Sequence, residues 1–304
     1  MTELERSIIK TVAYFDVFDF PLTVSELHKY LLTKEKYSLL NIIKQIENNN
    51  FLGSCQGFYF VKGRDQIIQQ RKEKYLVANK KIRKSLFYIK MLSKLPFVEA
   101  IFICNTLSLL NARDESDVDL AIVAREGKIW TARFFCAVLM KIFNKRPSEE
   151  NQKDKICLSF YFGADSLDLE RVRNDNDIHF TNWVAQFMPV YGRDEIISEF
   201  CRENGWVKED LVNHEFTISN SRWKVKEKSL VKRILEMIFG FGVFEGLIKY
   251  VQLKKMPEEL RVQGKEDNSN VLISDTILKL HKKDNREDIY KKWEEKTRKI
   301  LLSG

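Results

Sequence analysis

Proline and glycine are scarce in this 304-residue chain, at 5 and 12 residues. So few turn formers exclude a turn-rich all-β architecture and favour a helix-rich α/β or α+β fold. The five cysteines, Cys55, Cys104, Cys136, Cys157 and Cys201, include no C-x-x-C pair. That argues against a disulfide framework or a zinc ribbon and predicts reduced, mostly buried thiols. The histidines at 28, 179, 214 and 281 stand too far apart to share a helical turn and have no Cys or Glu at zinc-site spacing. His179 and His281 read as packed or hydrogen-bonded side chains. Long apolar runs are missing as well. The longest stretch without a formal charge, 178–192, has 15 residues and contains His179, Asn182, Gln186 and Pro189, too short and too polar to span a bilayer. No membrane partner is expected. The opening residues, with Glu3 and Glu5 ahead of the first apolar run, are unlike a secretion signal, so a cytoplasmic location is expected.

Hydrophobic residues make up 44% of the chain and charged residues 31%, a composition that folds, with room for about two domains. The net charge is +8 and unevenly placed. Residues 1–95 carry 17 Lys/Arg against 9 Asp/Glu, whereas residues 96–304 carry 34 of each. Between Lys62 and Lys94 lie 11 basic residues against Asp65 and Glu73. Ile67, Ile68, Leu76, Ile82, Leu86, Ile89 and Leu92 recur there at the spacing of a long amphipathic helix. Its lysines, Lys72, Lys74, Lys80, Lys81 and Lys84, form either a solvated face or a stripe that binds nucleic acid by releasing phosphate counterions.

Ahead of it, 3–15 reads as a helix, Thr23 and Glu26 make a capping box opening a second helix through Leu32, and 37–48 reads as a third with Leu39, Leu40, Ile43 and Ile46 inward. Phe51-Leu52, a turn at 53–57 and 58–61 then read as a β-hairpin. Three short helices followed by a hairpin resemble the winged helix-turn-helix family over residues 1–64. In that family the third helix enters the DNA major groove. The outward face here carries Lys44 as its cation, so nucleic-acid contact and protein docking both stand open.

From Pro96 the pattern changes. Strands are expected at 97–103, 117–123 and 156–162, a short helix at 106–112 and a longer one at 128–143, with mainly helical chain beyond Asp175. The apolar stretch 235–253 reads as a buried helix pair or a partner surface, and 288–302 as a charged helix anchored by Trp293. The chain thus divides into a winged-helix-like unit (1–64), a basic connecting helix (65–95), an α/β unit (96–190) and a helical C-terminal region (191–304).

Asp117 and Asp119, two apart on a strand, leave the same face while Val118, Leu120 and Ile122 point into the core. Paired carboxylates are costly without a cation, and hard oxygen ligands suit Mg²⁺. Upstream, a strand ends at Cys104, Asn105-Thr106 follow, and a short helix and the loop 113–115 lead to Ser116-Asp117-Val118-Asp119. This arrangement resembles the DNA polymerase β-type nucleotidyltransferase superfamily, whose signature is Gly-Ser, a short helix, and Ser-Asp-x-Asp on the next strand. The resemblance covers residues 96–190 and implies a small mixed sheet with flanking helices. It further implies Mg²⁺ or Mn²⁺ on Asp117 and Asp119, a nucleoside triphosphate contacted by Asn105, Thr106 and Ser116, and transfer of a nucleoside monophosphate to a hydroxyl acceptor. Arg113 is a further phosphate candidate. Two positions depart from the signature. Asn105 stands where the family has Gly, although Asn tolerates positive φ. The third strand has no acid inside it where the family places a third carboxylate, with Asp154 just before and Asp165 just after. The alternative is therefore a catalytically degenerate protein serving as a winged-helix nucleic-acid-binding or protein-docking module.

Overall fold

The computed structural model describes residues 1–47, 49–148, 150–217, 221–225, 229–266, 271–281 and 285–302. It opens with α1 (Glu3–Asp16), whose N-terminus is closed by a Thr2/Glu5 capping box, and a short strand β1 (Leu22–Thr23). The Thr23/Glu26 box expected from sequence then starts α2 (Val24–Lys29). After α3 (Leu39–Glu47), the hairpin β2 (Leu52–Cys55) and β3 (Phe58–Val61) pairs with β1 in a three-stranded sheet of order β1-β3-β2. The phase of α3 differs from expectation: Ile42 and Ile46 are buried, while Leu39 and Leu40 are exposed. Its inward face follows the four-residue spacing of Ile42 and Ile46. Asn48, the expected last residue of that helix, lies outside the described residues.

The connecting helix α4 (Ile67–Ser93) runs for 27 residues. Ile67, Ile68, Ile82, Ile89 and Leu92 are buried, but Leu76 faces solvent and Lys81 is turned inward. Lys81 therefore leaves the expected polyanion stripe.

Next come β4 (Val98–Ile103), α5 (Asn105–Ser108), β5 (Val118–Ala124), α6 (Ile129–Ile142), β6 (Ile156–Gly163), α7 (Ile178–Ala185), β7 (Met188–Gly192) and α8 (Asp194–Glu203). The chain continues through α9 (Leu230–Phe239), α10 (Gly242–Lys255) and α11 (Glu258–Gln263). A hairpin, β8 (Val271–Ile273) and β9 (Ile277–Leu280), and a final helix, α12 (Arg286–Leu302), complete it. The 191–304 stretch, expected to be helical, thus also supplies two strands, and β7 lies inside the segment expected to be helical beyond Asp175. All three join one mixed six-stranded sheet of order β7-β4-β5-β6-β9-β8, in which β4/β5 is antiparallel and β5/β6 parallel. Strands this short are indistinguishable from a turn of helix by periodicity, which explains the misreading.

Both sheet faces are covered, so the strands read as nearly continuous apolar runs. On one face Ile101, Ile103, Leu120, Ile122 and Leu278 pack with α4 and α6 residues such as Ile82, Ile89, Trp130 and Met140. On the other, Phe102, Ala121, Val123, Phe160 and Phe162 join Phe180 of α7 and Phe200 of α8 in a core that continues into Ile8, Val12 and Phe15 of α1. Asp117 and Asp119 project on this second face. No described helix is long and apolar enough to cross a membrane.

Candidate functional site

Strand β5 alternates as expected: Val118 and Leu120 are buried, and Asp119 between them is partly open. Asp117 precedes the strand by one residue, held in place because Val118 N–H donates to the Lys155 carbonyl at 2.8 Å. In the parallel pairing of β5 with β6, Asp119 faces Cys157. One ligand atom from each of Asp117, Asp119 and Cys157 lies within 4.8 Å of the others. Cys157 thus stands beside the acids where the resemblance implies a third carboxylate. Asp154 does not join them, because Lys81 at 3.0 Å and Lys84 at 2.6 Å hold it. Asp165 lies outside the cluster and outside the lining of the adjoining cavity.

Burial raises Asp117 to about 6, and the neighbouring Asp119 adds to this; His281 and Lys81 pull the other way. Asp119 is raised by burial against hydrogen bonds from Asn105 and Cys157 that oppose it. The Cys157 thiol is itself pushed up, first by burial and then by Asp119. Two half-buried carboxylates that resist ionisation side by side, with a sulfur beside them, are what a divalent cation would stabilise. The donor set fits such an ion.

Asn105 is the pivot of the upstream turn. Its φ is +57°, the left-handed value that its residue type tolerates. Its side-chain oxygen accepts from Trp183 Nε1 at 2.5 Å, and its amide hydrogen-bonds to the Asp119 carboxylate. Asn105 is therefore committed to protein partners. The expected helix 106–112 is only the single turn α5, because Leu110 takes φ +56° and the Asn111 N–H closes back on the Thr106 carbonyl at 2.8 Å. Ser116 Oγ donates to the Arg113 carbonyl at 2.9 Å, which tightens the loop leading to Asp117.

These residues line one end of a cavity of about 390 Å³, within the size range of small-molecule sites. Asn105, Thr106, Ser116, Asp117 and Asp119 all contribute to its wall; Arg113 does not. Sequence reasoning missed several other wall residues. Lys279 and His281 come from β9 and its end, and Arg286 from the first turn of α12. His281 Nε2 is 2.5 Å from Ser159 Oγ, and Arg286 pairs with Asp177 at 2.8 Å. Tyr14 and Phe18, at the end of α1 and just beyond it, supply an aromatic wall, with Tyr14 OH 2.9 Å from His179 Nδ1 and the Phe18 ring stacked on His179. Both histidines are hydrogen-bonded, and both border the cavity. Their alternation with apolar neighbours was the one signal available, and it does not distinguish a cavity from a core.

Comparison with protein-family models, curated proteins and solved structures gave no match.

The arrangement around Asn105 gives a direct test. Asn105→Gly keeps the positive φ but releases Trp183 and Asp119. Divalent-cation affinity should then fall by roughly tenfold, the equivalent of about 1.4 kcal/mol, and the Trp183 emission should shift. Both are read by fluorescence titration with Mn²⁺.

Proposed function

We propose that the chain is a divalent-metal-dependent nucleotidyltransferase. It would transfer a nucleoside monophosphate from a nucleoside triphosphate to a hydroxyl acceptor, with release of pyrophosphate. The observation that carries this reading is that Asp117 and Asp119, with Cys157 close beside them, line the end of a cavity of about 390 Å³ whose wall also holds Thr106, Lys279 and Arg286. Asp117 and Asp119 would hold Mg²⁺ or Mn²⁺, with Cys157 beside them. When bound, the ion supplies positive charge against which phosphoryl oxygens and the departing pyrophosphate are stabilised. The chain's own residues supply the rest. Thr106 would offer a hydroxyl to the phosphates, Lys279 and the Asp177-paired Arg286 line the wall, and the hydrogen bond from Asn105 fixes the Asp119 carboxylate that would hold the ion. The acceptor hydroxyl attacks the α-phosphorus in line, the bond to the bridging oxygen breaks, and the acceptor proton leaves to solvent or to a base brought with the acceptor.

Tyr14 and Phe18 favour a small acceptor over a polymer, because the N-terminal unit closes one side of the cavity. In this reading that unit is a wall of the site. A nucleic-acid partner would have to engage the remaining exposed basic residues of α4, and salt-dependent gel shifts test for it.

Incubation with each labelled nucleoside triphosphate and Mg²⁺ or Mn²⁺ should release pyrophosphate and yield a labelled product. No pyrophosphate with any triphosphate and either ion, across alcohols, sugars and proteins as acceptors, overturns the reading.

The sulfur adds its own expectation. A thiolate is soft, whereas Mg²⁺ prefers oxygen. Cys157→Asp should therefore raise Mg²⁺ affinity, by about tenfold for 1.4 kcal/mol gained. Wild-type protein loaded with Co²⁺ should show a sulfur-to-cobalt charge-transfer absorption that Cys157→Ser removes. Calorimetry and absorption spectra check the two.

A further inference from the structure

The helix pair α9–α10 has its polar side turned inward. Glu236 accepts from Phe97 N–H at 2.9 Å and pairs with Arg125 at 3.0 Å. Glu245 caps α6, accepting from Trp130 N–H at 2.7 Å and Thr131 N–H at 3.1 Å. Gln252 donates to the Trp130 carbonyl at 2.7 Å, and Lys128 reaches the Gly240 carbonyl at 2.6 Å. Phe239, Ile248 and Leu253 pack down beside these bonds.

The outward side is the apolar one. Leu230, Ile234, Met237 and Phe241 follow one another at four- and three-residue steps, so they form a single stripe on α9 that ends at the tip; Val243, Leu247 and Tyr250 do the same on α10. All are exposed, Met237 at 71% and Val243 at 81%, and neither helix contains a buried residue. Scattered surface apolar side chains need no explanation, but two successive helices with outward apolar stripes mark a contact surface. The tip concentrates it, because Phe241 stands exposed between Gly240 and Gly242.

Charge decides what the surface meets. On α9–α10 the exposed charged side chains are Arg233, Lys254 and Lys255, all positive, and exposed acids, Glu258 and Glu259, follow on α11. The two acids of α9–α10, Glu236 and Glu245, are engaged inward. A surface of negatively charged headgroups over an apolar layer complements both the rim and the stripe.

We infer that α9–α10 is a docking face for anionic lipid surfaces, with the Phe241–Val243 tip and the α9 stripe entering the interface and Arg233, Lys254 and Lys255 meeting headgroup phosphates. Neither helix crosses the bilayer; the protein lies on one leaflet.

Co-sedimentation of the full chain with sucrose-loaded vesicles tests this, using phosphatidylcholine alone and an equal mixture with phosphatidylglycerol. Wild type should pellet with the anionic vesicles and not with phosphatidylcholine alone, and the pelleted fraction should fall as salt rises from about 0.1 M to about 0.5 M. The Phe241→Asp/Val243→Asp variant should reduce pelleting at least tenfold. Arg233→Glu/Lys254→Glu/Lys255→Glu should abolish the preference for phosphatidylglycerol. The substituted side chains are exposed, so thermal melts of both variants should match wild type. Absence of pelleting with anionic vesicles overturns the inference. So does sedimentation equilibrium showing a wild-type dimer that Phe241→Asp/Val243→Asp converts to monomer, which would assign the face to self-association.

Discussion

Replacing either acid of the pair, Asp117→Asn or Asp119→Asn, should abolish metal-dependent triphosphate binding and reduce pyrophosphate release by about 10²–10³-fold or more. An isosteric amide keeps the strand geometry but removes the charge that would hold the ion. The same substitution should make the metal-free protein more heat-stable at neutral pH. Burial, with Asp119 beside it, raises Asp117 from its ordinary 3.8 to about 6 in the fold. A group whose folded value is raised contributes stability that is full below the unfolded value and is lost as pH rises through the folded one. Between about pH 4 and 6 the metal-free wild type should therefore lose stability as pH rises, whereas Asp119→Asn should lose less. Proton and cation also compete for the same oxygens, so metal affinity should weaken as pH falls through about 6. Thermal melts at pH 4 and pH 7, with and without Mn²⁺, read all of this. Equal triphosphate affinity in wild type and both variants would remove the acids from the site.

Lys81→Met should destabilise the fold strongly. The ammonium is buried, with 2% of the side chain exposed, and its three protons are all used: on the carbonyls of Asp114 and Ser116, each at 2.7 Å, and on Asp154 at 3.0 Å. Burial alone would raise Asp154, yet the hydrogen bonds from Lys84 and Lys81 overcome it and hold the carboxyl below its usual range. Removing Lys81 strands two carbonyls and weakens that pairing. The loss should be roughly 2–4 kcal/mol, or a fall in melting midpoint of about 5–15 °C at 2–4 °C per kcal/mol. Because the loop 113–117 delivers Asp117, metal affinity should fall with it. Lys81→Arg should not restore either property, since a planar guanidinium cannot place three protons around one point. Differential scanning calorimetry and Mn²⁺ titration of the two variants check this. A melting midpoint within about 2 °C of wild type for Lys81→Met would mean that the loop is held by other contacts.

The parts of the site that lie close together along the chain were legible, and the parts that converge from afar were not. Asp117 and Asp119 share a face because strand side chains alternate, a rule that needs only the sequence. The positive φ of Asn105 follows from its residue type. Cys157 could not be found that way. It sits in an apolar run like any core thiol, and its place beside Asp119 is set by the parallel register of β5 on β6, which no local pattern encodes. Lys279 and His281 were hidden for a similar reason. The strand that carries them has four residues, and only its pairing with Phe160, Tyr161 and Phe162 turns Lys279 to the cavity side. Lys81 shows the converse error. A lysine in a basic run is normally solvated, and the three oxygens that draw this one inward come from segments 33 to 73 positions away.

The closure of α12 on α1 joins distant parts of the chain around one cavity. Trp293 Nε1 donates to the Lys10 carbonyl at 2.9 Å, Lys296 pairs with Asp16, and Arg286 pairs with Asp177 at 2.8 Å. Both acids and Cys157 are placed by β5 and β6, whereas Lys279, His281 and Arg286 reach the same region from β9 and α12. Part of the cavity wall therefore depends on α12 meeting α1, and a chain cut before β9 should leave the two acids more open to solvent. The cavity is thus a long-range clasp, held by contacts between residues about 280 positions apart.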